Sequence, residues 1–165
     1  MKAVAIKGAI LLLITLVQVS LLPRLSLGKL QPDFFLIVTC CWALINGSRM
    51  GVGSGFVAGL LQDLYGSGSN IFIKPAMGYL SGRFEGKIYK DSVVFPPLIV
   101  LGASFLGGII TFLVHEEYLF NLTFSYALQN IILPGALVNA VLCLGVYPFL
   151  LWVENKMEET PRGVY

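Results

Sequence analysis

Charge is what this sequence has least of. Only 12% of its 165 residues are Asp, Glu, Lys or Arg, about half the roughly 25% typical of a soluble domain, while 56% are hydrophobic. With a mean hydropathy of +0.81, the chain is too apolar to be solvated as a water-soluble globule. Histidine is nearly absent: His115 stands alone, and its neighbours Glu116 and Glu117 make HEE, not the HExxH of a zinc hydrolase. A solvated loop is the reading for that trio. Cysteine is sparse as well. Cys40, Cys41 and Cys143 all lie in apolar runs and form no CxxC pair, so they imply no disulfide framework and read as small apolar side chains. A phosphate-binding glycine loop and a dinucleotide fingerprint are also missing. An intramembrane protease needs a serine–histidine pair, two membrane aspartates or a zinc motif. One membrane aspartate, Asp63, and one loop histidine do not supply these. The expectation is a protein that is not an enzyme, takes no cofactor and has no nucleic-acid partner.

What the chain has is six apolar segments, over about 5–22, 33–46, 50–65, 70–84, 93–114 and 128–153. They are continuous and not alternating, which favours helices over a β-barrel. The whole chain, 1–165, reads as one all-α integral membrane domain. The first segment has Lys2 and Lys7 ahead of its apolar core, as a signal peptide would, but no small-x-small cleavage site follows. It is expected to be a retained transmembrane helix. Spanning takes about 20 apolar residues, so segments two to four are short.

Loop charge predicts the orientation. With the N-terminus inside, the cytoplasmic side holds Lys2, Lys7, Arg49, Arg83, Lys87, Lys90, Lys156 and Arg162, eight residues, and the far side Arg24, Lys29 and Lys74, three. That asymmetry favours both termini in. Six spans are favoured over four spans plus a re-entrant hairpin of segments three and four, which the charge count does not separate. The last outer loop carries Tyr118, Phe120, Phe124 and Tyr126, suited to the membrane interface. Its Asn121-Leu122-Thr123 matches a glycosylation sequon, a match that chance alone often produces.

The most patterned stretch is GSRMGVGSGFVAGLLQD, with glycine at 47, 51, 55 and 59 and aspartate at 63. A spacing of four keeps these positions on nearly one helix face. Segment four repeats the device with Gly78, Gly82 and Gly86, and Lys74 extends its register. In lipid, where burial of hydrocarbon drives little association, small residues mark close helix contacts. The two stripes therefore predict a tightly packed hairpin around the GSGSN turn. Three readings stay open for Asp63 and Lys74: an ion pair or shared polar pocket near the outer surface, a turn cap with a snorkelling lysine, or a ligand or proton site. Asn139, inside segment six, is expected to make one interhelical hydrogen bond. Arg49 reads as a topology anchor, and Arg83-Phe84-Glu85-Gly86-Lys87 as a solvated inner loop that is one option for a partner surface.

Several of these pieces occur together in one family. A lysine-bearing first helix, Pro32-Asp33-Phe34 opening the second, GVGSGFVAGLLQDLYGSGS, and then GYLSGRFEGKIY resemble the bacterial rod-shape-determining MreD proteins over nearly the whole chain. The most specific portion is GFxxGLxxD with the glycine turn after it. The resemblance implies a multi-pass protein of the bacterial inner membrane in the cell-elongation machinery. It would connect an MreC-like bitopic protein, and indirectly an MreB-like filament, with peptidoglycan synthases. It also implies the fold of the substrate-binding subunits of energy-coupling-factor transporters, so the runner-up function is a small-solute-binding subunit of such a transporter. Asp63 matches the family's aspartate after the glycine stripe. Lys74 stands where a small or apolar residue is expected.

Overall fold

The computed structural model describes residues 2–18, 32–64, 68–86, 92, 94–114 and 123–158. The described residues form helices and no strand: α1 (Lys2–Leu16), α2 (Phe34–Asn46), α3 (Ser48–Asp63), α4 (Asn70–Gly82), α5 (Phe95–Val114) and a long final rod. That rod begins as α6 (Phe124–Ala127), passes through a π-helical stretch (Leu128–Ile132) and continues as α7 (Leu133–Glu158). His115–Glu117, Asn121 and residues 87–91, named above as loop features, lie outside the described residues.

The helix FFLIVTCCWALIN, α2, is apolar on every side. A helix of that kind belongs in the centre, and α2 packs against α1, α3, α4, α5 and α7. Every residue from Phe35 to Ile45 is buried, including Trp42 and all three side chains of Thr39, Cys40 and Cys41. The buried cysteines are consistent with packing: Cys41 and Cys143 bring their sulfurs to 3.7 Å as free thiols.

A single residue, Gly47, joins α2 to α3. It has φ +85° and donates its N–H to the Ala43 carbonyl. This backbone conformation is open to glycine and strained for other residues. The chain thereby reverses without a loop, and Gly51 of α3 comes back against Ala43.

The closest packing is between α3 and α4. A Cβ at Gly55 would lie 2.7 Å from the Lys74 carbonyl, and one at Gly51, Gly59, Gly78 or Gly82 would also fall within 3 Å of opposing backbone. The partners run in register: Gly59 against Asn70, Gly55 against Lys74, Gly51 against Gly78, and Gly82 against Gly47 and Ser48. Each step is four residues along both helices, so the seam is a backbone-on-backbone antiparallel contact. Gly86 is not part of it. Helix α4 ends at Gly82, Gly86 sits in the following turn at φ +71°, and a Cβ there would meet nothing within 4 Å. Gly47 lies at the seam's end, where its own added Cβ would strike the Glu85 carboxylate.

Two rods are long and apolar enough to cross a membrane, Phe95–Val114 and Phe124–Met157. The second extends beyond the expected 128–153 at both ends. Pro134 accounts for the change of helix type within it. Proline cannot donate to the Asn130 carbonyl, and its ring crowds that group. The π stretch ends just before it, with Leu133 donating to Leu128. Helices α3 and α4, at 16 and 13 residues, are about 24 and 20 Å long at 1.5 Å per residue.

Candidate functional site: a buried polar cluster and its cavity

The polar groups of this apolar chain gather around the start of α2. Pro32 precedes Asp33, the N-cap, whose Oδ1 accepts from the Leu36 N–H at 3.0 Å. The first turn of a helix has N–H groups without intrahelical partners, and a carboxylate there satisfies one of them and opposes the helix dipole. The Phe34 N–H is served from just beyond α1, donating to Gln18 Oε1 at 3.2 Å, while Gln18 Nε2 donates to the Pro32 carbonyl.

The second carboxylate oxygen of Asp33 takes a charge. Lys74 Nζ donates to Asp33 Oδ2 at 2.5 Å, forming an ion pair between α4 and α2. Lys74 is only 1% exposed. Its backbone lies against Gly55, and its side chain leaves the seam toward α2. Asn139 of α7 completes the cluster. Its Oδ1 accepts from the Asp33 N–H at 2.9 Å, and its Nδ2 donates to Ser104 Oγ of α5 at 3.1 Å. Asn139 thus makes two interhelical bonds where one was expected, and four helices meet at a single net-neutral knot. Breaking a buried ion pair from one side costs about 3–5 kcal/mol, because an unpaired charge stays behind.

Asp63 does not pair with Lys74. Its Oδ1 accepts from the Asn70 N–H at 3.2 Å and from Asn70 Nδ2 at 2.9 Å, and its Oδ2 from the Ile71 N–H at 2.8 Å. The aspartate that ends the α3 stripe therefore caps α4 across the turn. Both its oxygens are engaged by the free N–H groups of that helix start, one turn away from Lys74. The snorkelling reading fails for Lys74 too, since its ammonium is buried on Asp33. Of the residues now in the cluster, Asp33 was read only as the opening of helix two, and its pairing with Lys74 was not foreseen. An acidic N-cap behind a proline, with one lysine in an otherwise apolar neighbouring segment, is the signal that pointed to it.

Beside the cluster lies a cavity of about 200 Å³. Asp33, Lys74, Ser104 and Asn139 border it together with apolar walls that include Ile73, Phe112 and Ile132. The π stretch supplies Ile131 and Ile132 to this wall; such widened turns recur at functional sites.

A second polar knot closes the other end of α2. Lys7 Nζ lies 2.7 Å from Glu154 Oε1, which also accepts from Asn46 Nδ2 at 3.0 Å, and the lysine sits over the Trp42 ring at 5.9 Å. Glu154 is 7% exposed. Among the described residues no group of His, Cys, Asp and Glu is placed to hold a metal ion.

A central helix buried from Phe35 to Ile45, polar ties turned inward and apolar side chains such as Phe56, Leu60, Phe72, Leu137 and Val141 turned outward define a helical membrane protein. Outward apolar residues face hydrocarbon in such a protein, and polar ones face the bundle interior. A family model described as rod shape-determining protein MreD matches residues 3–153, and the chain belongs to that family. Membership makes it a bacterial membrane protein with a structural role in rod shape determination. No curated protein and no solved structure matches the chain.

Proposed function

We propose that the chain is a six-span scaffold of the bacterial inner membrane, with both termini in the cytoplasm. It links an MreC-like bitopic protein, and through it an MreB-like filament, to the synthases that build peptidoglycan. The single observation that carries this reading is the family match over residues 3–153. The internal ties add physical support. Asp33–Lys74, Asn139–Ser104 and Lys7–Glu154 each join different helices, so the polar side chains hold one rigid body together. A rigid body with a lipid-facing apolar exterior suits a part that positions others.

The orientation rests on loop charge, and burial of Lys74 bears on that argument. A lysine paired inside the bundle is not a loop charge, so the far side keeps Arg24 and Lys29. Lys7, paired with Glu154, drops from the inner count by the same rule, and the positive-inside asymmetry is kept. Helices α3 and α4 are shorter than a bilayer core of about 30 Å; we place them across a locally thinned membrane, a modest cost per ångström of mismatch. The likeness to energy-coupling-factor substrate subunits belongs to the same proposal as a matter of fold.

The test is purification of the full chain from its native membrane in mild detergent, with mass spectrometry of the proteins that accompany it. Stoichiometric recovery of a bitopic cell-shape protein or of cell-wall synthases is the expected result. Recovery with an ATPase motor in their place would replace the scaffold by the transporter-subunit reading.

A further inference from the structure

The cavity beside Asp33 is organised along its depth. Ser104, Gly107, Gly108 and Thr111 line it from α5, and their spacing puts them on one helix face. Ser104 is ten residues from Val114, where α5 ends, which is about 15 Å at 1.5 Å per residue. The polar groups therefore form a floor, and the walls above it are mainly apolar. Gly135 leaves this space open: a Cβ built there would meet nothing within 4 Å.

The floor offers more hydrogen-bond donors than the described residues fill. An ammonium carries three donors, yet among the described residues Lys74 has one acceptor, Asp33, and is almost fully buried beside the cavity. A carboxamide nitrogen carries two, and among the described residues Asn139 Nδ2 is bonded once, to Ser104. The carboxylate of Asp33 has both oxygens engaged, by Leu36 and Lys74. The ion pair is balanced, so an added anion or cation would stay uncompensated in a low-dielectric site, whereas a neutral acceptor would not.

We infer that this cavity is a binding site for a small uncharged molecule with a carbonyl head and an apolar body. The carbonyl oxygen would accept from Lys74 and Asn139, and the body would lie along the throat toward Phe112 and Ile132. A cavity of about 150 Å³ admits benzene, so this one, at about 200 Å³, takes a body of that size with a carbonyl group added. A free small amide or ketone and the ester carbonyl of a membrane lipid share this chemistry. The inference stands on the cavity alone and does not depend on the scaffold reading.

The experiment uses the full chain in lipid nanodiscs and fluorine NMR with four probes: 4-fluorobenzamide, 4-fluorobenzoate and 4-fluorobenzylammonium, which are similar in size, and fluorobenzene, which lacks the polar head. The amide is expected to bind saturably and at least tenfold more tightly than the other three. Gly135→Leu places a side chain where the structure has room, and should weaken the amide at least tenfold without lowering the unfolding midpoint. Discs of ether lipids, which lack ester carbonyls, separate the two sources. Equal affinity in ester and ether discs marks a free small molecule as the occupant, and binding strengthened tenfold in ether discs marks a competing lipid ester. If wild-type protein takes up all four probes alike, or prefers the benzoate, the inference is overturned whatever the variant does. Amide binding unchanged in a folded Gly135→Leu protein overturns it equally.

Discussion

Replacing Gly55 by alanine tests whether the α3–α4 seam is a backbone contact. The new Cβ would lie 2.7 Å from the Lys74 carbonyl carbon and oxygen and 2.8 Å from the Pro75 nitrogen, where ordinary contact begins at 3.4 Å. Backbone cannot swing aside as a flexible side chain can, so the helices must part by about 0.7 Å. A gap of roughly 0.5–1 Å forfeits a quarter to a half of each dispersion contact it opens, and here the loss runs along every level of the seam. Overpacking of this kind costs about 1–3 kcal/mol. Alanine regains about 0.5–1 kcal/mol of helix propensity. The net is a loss of about 1–2 kcal/mol, a roughly 5- to 30-fold fall in the folded-to-unfolded ratio. Gly53 is the control: it lies on the same helix, is exposed, and has nothing within 4 Å of an added Cβ. Gly53→Ala should therefore leave stability unchanged or raise it by up to about 1 kcal/mol. Reversible unfolding in mixed detergent micelles measures both. Shifts of the same sign and size for the two variants would refute the backbone-contact account.

Other outcomes follow from the polar ties. Asp33→Asn should destabilise by about 3–5 kcal/mol, since the Lys74 ammonium stays buried without its partner, and adding Lys74→Met should recover most of the loss. A double-mutant cycle in the same unfolding assay reads that coupling, and the equivalent cycle for Asp63 and Lys74 should read close to zero. Asp63→Ala should cost about 0.5–2 kcal/mol through loss of the α4 cap, while Asp63→Asn, which keeps an acceptor, should cost less; thermal unfolding in detergent separates them. Cys40, Cys41 and Cys143 are fully buried, so membrane-permeant N-ethylmaleimide should leave the folded protein unlabelled and modify all three on unfolding, as counted by intact mass.

The glycine seam was legible because its cause is local. A step of four residues puts the same atoms on the same face whatever surrounds the helix. Gly86 continued that arithmetic past the point where α4 stops at Gly82, and no spacing rule marks where a helix ends. The central place of α2 was not legible at all. An apolar run facing lipid and one facing other helices look alike, since hydrocarbon tails are as apolar as leucine. Without that placement the partner of Lys74 was sought in Asp63, its neighbour across the turn, and not in Asp33, 41 residues away. Asn139 was identifiable as a hydrogen-bonding residue from its setting alone, but its two partners depend on the bundle. Pro134 was visible in the chain; the widened turn before it was not, because proline is accommodated in more than one way.

The last rod also bears on how the protein is made. Chains emerge N-terminus first, so α2, α3 and α4 are synthesised before Asn139 and Glu154 exist. The Asp33–Lys74 pair and the glycine seam form within the first 82 residues. Until the end of synthesis, however, Lys7 and Asn46 have no Glu154 to receive them, and the Asp33 amide has no Asn139. The final helix thus completes the polar ties at both ends of α2 last: a chain that halts before it leaves Lys7 unmatched at one end and the Asp33 amide unmatched at the other.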